Sequence, residues 1–172
     1  METADYENLK VNPIFEPIKK LLEFYILGIA FIGQFEFQEH ILRAHPEFKS
    51  FIDRYNLEVS LRKEGQSVKS ETKTYMLSFG RIMTIALFDI LKASEYQSKL
   101  SNEDIFKFAR HIRNGAAHDN KFNITPPING QIMWRDKVID NSLNGTQVIP
   151  DFINPMVLIF LMADISEIID KN

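Results

Sequence analysis

The chain has 172 residues, of which 45% are hydrophobic and 25% charged, and its formal net charge is -3. This composition is typical of a globular protein large enough to bury a core. There is no cysteine, which excludes disulfides, thiol catalysis and thiolate metal sites. The negative charge argues against broad adhesion to nucleic acid, so any anion-binding site has to be local.

The N-terminal sequence METADYENLK is polar and acidic, unlike a signal peptide. The most apolar run, FYILGIAFIG at residues 24–33, is too short to span a bilayer. We therefore predict a cytoplasmic protein without membrane contact. The absence of linkers and repeats predicts a single domain over residues 1–172, with a loose N-terminus at 1–12.

Long helices are predicted for most of the first hundred residues. Pro13 suits a helix start, and apolar residues recur with helical spacing from there to about Arg43. A short helix at 47–55 and a charged connection at 56–66 follow. The next long helix is predicted at 68–91 from a helical repeat of apolar residues: Tyr75, Met76, Phe79, Ile82, Met83, Ala86, Leu87 and Ile90.

A further helix, at residues 101–117, carries the residues most suited to chemistry. Ser101 followed by Asp104 is typical of a capped helix N-terminus. Helical spacing predicts an apolar stripe on one face, formed by Ile105, Phe106, Phe108, Ala109 and Ile112. The opposite face carries Lys107, Arg110, His111 and Arg113. In the last turns, Gly115 allows close approach of another backbone or a phosphate.

From Asn123 onward the hydrophobic period changes. Turn residues separate short apolar runs at 132–134, 138–139 and 148–149, which predicts a hairpin or three-stranded flap within residues 123–150. We expect Trp134 to anchor this flap to the core. A final helix follows, capped by Asp151 or Asn154 and apolar over 157–169. The fold class predicted is mainly α, a bundle of about four to five helices with a small β-flap before the last helix.

The sequence Arg113-Asn114-Gly115-Ala116-Ala117-His118 joins groups that suit phosphodiester chemistry. The planar guanidinium of Arg113 fits phosphate oxygens, and His118 supplies an imidazole, the side-chain group that most often serves as general acid or base. Asn114 lies four residues before His118 on the same helical face, so its amide can orient the imidazole. Such a set suits RNA cleavage by its own 2′-hydroxyl, without a metal or cofactor.

The arginine, the following asparagine and the histidine after three small residues resemble the signature of the HEPN superfamily (higher eukaryotes and prokaryotes nucleotide-binding domains). That signature is an arginine and a histidine separated by four to six residues, often with a polar residue after the arginine. The resemblance implies an up-and-down helical bundle that acts as a metal-independent RNA endonuclease. It assigns catalysis to Arg113, Asn114 and His118.

The resemblance also implies partners. Members typically pair two motif helices across a two-fold axis, so that two arginines and two histidines share one cleft, which predicts a homodimer. Such domains often serve as toxins or phage-defence effectors restrained by an antitoxin protein. RNA is the expected ligand, and Lys107, Arg110, His111 and Lys121 are candidate contacts for its backbone.

Less specific interpretations stay open beside this one. A solvated helix face explains the same cations equally well. Arg113 can form a surface ion pair with Asp119 or Asp104, and His118 suits a helix C-terminus without any further role. Two other functions fit the sequence: a non-catalytic nucleotide-binding, RNA-binding or dimerisation module, and a regulatory partner in a toxin–antitoxin system. A nuclease toxin should resist expression unless Arg113 or His118 is mutated, whereas a binding module should express freely.

Overall fold

The computed structural model describes the backbone of residues 10–32 and 71–171, and the side chains of residues 10–27 and 77–171. Over these ranges the chain is mainly helical, with one antiparallel hairpin before the last helix, which confirms the predicted fold class. The elements are α1 (Glu16–Ile32), α2 (Glu71–Ala93), α3 (Gln97–Leu100), α4 (Asp104–Ala117), β1 (Ile132–Trp134), β2 (Lys137–Ile139) and α5 (Leu158–Asp170).

Several predictions from the first half of the sequence lie outside the described residues. These are the short helix at 47–55, the connection at 56–66 and the part of the first helix beyond residue 32. Within the described ranges, none of the helices has the length and apolarity needed to cross a membrane.

The chain divides into two compact units, one formed by residues 1–22 and 77–172 and the other by residues 23–76. The described part of the second unit consists of the end of α1 and the start of α2. The first unit contains the start of α1, most of α2, α3, α4, the hairpin and α5.

Asn12 and Pro13 determine where the first helix begins. The side-chain carbonyl of Asn12 accepts the N–H of Ile14 at 3.1 Å, and Pro13 opens a short 3-10 helix that leads into α1. The Asn12 N–H in turn donates to Ser166 Oγ of α5 at 2.7 Å. The helix start at Pro13 is confirmed. Asn12, which was assigned to the loose N-terminus, is held by these bonds, and residues 1–9 lie outside the described residues.

The apolar face of α4 is buried along its whole length, as the spacing predicts. All five residues of the predicted stripe are buried, and Phe108, Ala109 and Ile112 are at most 1% exposed. Burial of apolar surface contributes roughly 25 cal/mol per Å², so rotating α4 about its axis would expose this stripe at a large cost. The polar face of the helix is therefore fixed towards solvent.

The start of α4 differs from the prediction. The helix begins at Asp104, after Glu103, whose side chain makes no capping hydrogen bond. Ser101 belongs to the preceding turn, where its hydroxyl donates to the Ser98 carbonyl at 3.0 Å. The Ser101–Asp104 pattern was wrong as a cap because the α3 turn takes the serine hydroxyl first. Asp104 still stands in the first turn, where its charge complements the helix dipole.

The hairpin is fastened to α5 through a single carboxylate. Strands β1 and β2 pair Ile132 with Ile139, and Arg135 in the connecting turn has a positive φ of 51°. The Asp164 carboxylate accepts a hydrogen bond from Trp134 Nε1 at 2.9 Å. It also accepts hydrogen bonds from Arg135 Nε at 2.7 Å and from Arg135 Nη2 at 2.8 Å. The Trp134 ring packs against Phe108 with centroids 5.1 Å apart. The predicted anchoring role of this tryptophan is confirmed.

The third predicted strand, at residues 148–149, is absent. These two buried residues form part of an irregular helical turn, Val148–Phe152. Asn120 supplies the bonds that a neighbouring strand would have supplied: its main-chain carbonyl accepts the Val148 N–H at 2.9 Å, and its side-chain carbonyl accepts the Ile149 N–H at 3.1 Å. A β-branched apolar pair therefore reaches the core without a sheet. Of the two predicted caps, Asn154 accepts the Met156 N–H at 3.0 Å and caps the short 3-10 helix Pro155–Val157 that leads into α5, whereas α5 itself has no side-chain cap.

We predict that Asp164→Ala destabilises the protein by about 2 kcal/mol, because it leaves a buried indole N–H and a guanidinium without their acceptor. Asp164→Asn is the matched control, since it keeps an acceptor for the indole and should lose less. Urea unfolding followed by the fluorescence of Trp134, the single tryptophan of the chain, measures both losses at the hairpin. Equal stability of wild type and Asp164→Ala would contradict this account.

Candidate functional site

An open groove of about 640 Å³ lies between α4 and the loop formed by residues 123–132. The residues that α4 contributes to its lining are Asp104, Lys107, Arg110, His111 and Asn114. Their spacing of three or four residues places them on one face of the helix, opposite the buried stripe. The volume is within the range of roughly 300–1,000 Å³ found for ligand-binding clefts.

The loop side of the groove is held by two asparagine side chains from the segment after β2. Asn141 bonds the backbone of Ile128 in both directions: its carbonyl accepts the Ile128 N–H at 2.8 Å, and its amide donates to the Ile128 carbonyl at 2.9 Å. Asn144 accepts the Ile124 N–H at 2.9 Å. The loop therefore has a defined backbone path although it contains no regular secondary structure.

Two cations of different character stand on the helix side. Lys107 Nζ lies 2.9 Å from Asp104 Oδ1, and both side chains are partly exposed. Arg110 is exposed, and no carboxylate in the described part of the chain pairs with it. An exposed i,i+3 pair is worth only about 0.3–0.5 kcal/mol, so Lys107 can exchange its partner for another anion at little cost. Both cations are therefore available to a ligand phosphate.

His111 is half-buried in the groove, and along α4 it follows Lys107 and Arg110. Burial lowers its pKa from the ordinary value of 6.5, and the charge of Arg110 lowers that pKa further. At neutral pH the imidazole is therefore uncharged, with one ring nitrogen donating and the other accepting hydrogen bonds.

Arg113 points to a different side of α4. Its Nε lies 3.2 Å from Asp89 Oδ1 of α2, and its Nη2 lies 3.5 Å from the other carboxylate oxygen. Arg113 therefore forms an ion pair, as the alternative interpretation predicted, but its partner is Asp89 and not Asp119 or Asp104. Asp104 is paired with Lys107 instead, and Asp119 follows the helix end with a positive φ of 53°.

His118 terminates α4. It is the C-cap residue, its N–H donates to the Asn114 carbonyl at 3.0 Å, and its side chain is exposed. Arg81 of α2 supports the same end by donating from Nε to the Ala116 carbonyl at 2.8 Å. After His118, Asp119 and Asn120 adopt positive φ and turn the chain back. The predicted histidine is thus solvent-accessible at a helix terminus that α2 holds in place.

Gly115 is required by packing against the segment after the helix. A Cβ at this position would overlap the Val148 side chain and lie 3.1 Å from the Lys121 carbonyl oxygen. The close approach predicted at Gly115 therefore occurs, and it is made by the chain's own backbone and by a valine.

Four of the seven predicted site residues lie in the groove, and the other three lie outside it at separate positions. Lys107, Arg110, His111 and Asn114 come together in the groove. Arg113 lies beside Asp89, His118 stands at the helix end, and Lys121 is exposed in an isolated bridge with Gln147 outside the groove lining. Among the described residues, no contact joins Arg113 to His118.

The loop wall of the groove was not predicted. Its polar lining includes Asn123, Thr125, Asn129 and Gln131, all exposed. In the sequence these residues indicated only turns. One feature of the sequence could have indicated this wall: several amide side chains follow directly after a basic helix. Amides that serve only in turns need not recur along a whole loop.

Among the described residues, no group of three histidine, aspartate or glutamate side chains is arranged to hold a metal ion. No protein-family model matches the chain, and neither the curated proteins nor the solved structures include a significant match. The candidate site is therefore defined by its own geometry.

We predict that His111 titrates below 6.5 in an NMR pH titration, because burial and then the Arg110 charge disfavour the imidazolium. As pH falls below 6.5, the unfolded chain takes up this proton before the folded one, so the contribution of His111 to stability decreases towards acid pH. Arg110→Gln should raise the pKa, and Arg110→Lys, which keeps the charge, should not. An unchanged His111 pKa in Arg110→Gln would contradict the second cause.

Proposed function

We propose that this chain is a HEPN-like, metal-independent RNA endonuclease. In this proposal Arg113 holds the phosphate charge, His118 moves protons, and Asn114 orients the imidazole. The protein acts as a homodimer, and its setting is that of a cytoplasmic toxin or phage-defence effector controlled by an antitoxin partner.

The observation that carries the proposal is that one helix bears both the Arg113–Asn114–His118 pattern and the cationic groove. Asn114 belongs to both, since it stands one residue after Arg113 and also lines the groove. Because successive positions at three- and four-residue spacing share a helical face, the line through Lys107, His111 and Asn114 continues to His118. An RNA strand following this line would reach the exposed imidazole at the helix end.

The environment of each proposed catalytic group is compatible with its role. His118 is exposed, so it can exchange protons with solvent and with a substrate. The Arg113 side chain is 30% exposed and its Asp89 partner 50% exposed. A pair of this exposure is worth at most about 1 kcal/mol, so a phosphate can replace the carboxylate. Asp89 then keeps the guanidinium near the helix end until substrate arrives.

The same geometry supports a dimer. Arg113 and His118 are about 140° apart around α4 by the helical period, and Arg113 leans towards α2. A single imidazole also cannot take the 2′-hydroxyl proton and protonate the leaving oxygen at the same moment. A second copy of α4 would supply the missing arginine and histidine across a two-fold axis.

A second function is favoured by the separation of the groove from Arg113 and His118. A non-catalytic RNA-binding module needs only Lys107, Arg110 and the groove wall, with Arg113 serving as the ion-pair partner of Asp89. This alternative predicts RNA binding without cleavage and free expression of the wild type.

We predict that the wild type cleaves a mixture of single-stranded RNA and transfer RNA in EDTA, and that His118→Ala and Arg113→Ala each lower the rate about 100-fold or more, the usual effect of removing an acid–base or charge-stabilising group. Gel electrophoresis of the products measures the rates, and light scattering should give twice the 20.0 kDa chain mass.

Asp89→Asn is the matched control for Arg113→Ala. It breaks the same ion pair but leaves the guanidinium free, so cleavage should persist if Arg113 acts on the phosphate. Loss of cleavage in Asp89→Asn equal to that in Arg113→Ala would mean that the pair is structural. Equal cleavage by the wild type and all three variants would place the activity elsewhere, and no cleavage by a folded wild type would favour the binding module.

A further inference from the structure

The groove has two walls of different chemistry, and this difference indicates what it binds. The α4 wall offers the cations Lys107 and Arg110 together with an uncharged imidazole at His111. The loop wall offers neutral amides and the apolar ring edges of Pro126 and Pro127. A ligand that matches both walls has one anionic group and one planar, hydrogen-bonding group.

Three of the four side-chain amides that line the groove have no partner among the described residues, whereas Gln131 hydrogen-bonds Asp140. In the part of the chain that the structure describes, no protein group hydrogen-bonds the side-chain amides of Asn114, Asn123 or Asn129. Each side chain presents both a donor and an acceptor. A donor and an acceptor on one asparagine can together recognise the edge of a nucleobase. An alkyl or sugar ligand without a planar edge would leave these groups to water.

The loop wall is also organised before any ligand arrives. The two-way bond between Asn141 and Ile128 and the bond from Ile124 to Asn144 fix its backbone. Both asparagines act behind the groove and neither lines it. A wall fixed in this way loses less conformational entropy when a ligand binds. Its hydrogen-bonding groups also keep fixed positions, which favours selective over nonspecific binding.

We propose that this groove is a base-selective subsite that holds one nucleotide of single-stranded RNA, with its phosphate on Arg110 and Lys107 and its base against the amides of Asn123 and Asn129 in the loop at 123–132. This assignment rests on the proposed function for the identity of the nucleic acid, and it extends that function from cleavage to selection. The open side of the groove suits a nucleotide within a strand, because the chain can enter and leave along α4.

The test is fluorescence anisotropy with labelled single-stranded 2′-O-methyl oligonucleotides of A, C, G or U, which cannot be cleaved by attack of their own 2′-hydroxyl. The wild type should prefer one base over the others. Arg110→Gln should weaken binding about tenfold and reduce the salt dependence by about one phosphate contact. Asn129→Ala should reduce the preference between bases while leaving the salt dependence unchanged.

Lys92→Gln is the matched control, because it removes the same charge from an exposed position near the end of α2, outside the groove lining. Equal weakening by Lys92→Gln and Arg110→Gln would overturn the subsite, since binding would then depend on net charge alone. Absence of binding, or equal affinity for all four bases, would also overturn it. Free nucleoside monophosphates that bind more tightly than the oligonucleotides would overturn the RNA assignment in favour of a small nucleotide.

The outcomes separate the subsite from the nuclease. Base-selective binding that Arg110→Gln weakens, combined with no cleavage of unmodified RNA in EDTA, supports the subsite and contradicts the nuclease. If the wild type cleaves unmodified RNA but binds none of the 2′-O-methyl oligonucleotides, the subsite is overturned and the nuclease proposal still stands.

Discussion

Burial of one face of α4 is the constraint on which the rest of this unit depends. The stripe from Ile105 to Ile112 fills the core and prevents the helix from rotating. The remaining faces are then assigned by the helical period alone: one lines the groove, and another turns Arg113 towards α2. The functional proposals are thus consequences of a packing preference that hydrophobic spacing encodes.

In the segment after α4, asparagine side chains supply backbone hydrogen bonds that a larger sheet would supply in another fold. The Asn120 side chain satisfies both the N–H and the carbonyl of Ile149, while Asn141 and Asn144 satisfy the loop at 123–132. The amides of Asn120 and Asn141 each donate and accept, so one side chain can replace a pair of ladder hydrogen bonds. The loop can consequently form the groove wall and remain open to solvent without leaving buried backbone groups unsatisfied.

The mainly helical class, the buried stripe of α4 and the hairpin could be predicted because each depends on periodicity within one segment. Asp89, which lies 24 residues before Arg113, could not, because that pair depends on how α2 packs against α4. The apolar pair at 148–149 resembled a strand, since side-chain spacing does not reveal that Asn120 would supply the partner bonds. The groove wall was missed for the same reason: its residues are local turn formers, and their convergence is tertiary.

The central claim is that this chain cleaves RNA through the 2′-hydroxyl of its substrate. Analysis of the product ends, after digestion of a single-stranded RNA in EDTA, tests it most directly. The account predicts a 2′,3′-cyclic phosphate on one fragment and a 5′-hydroxyl on the other, because the attacking oxygen belongs to the RNA. Products with a 3′-hydroxyl and a 5′-phosphate, or intact RNA after incubation with the folded protein, would contradict it.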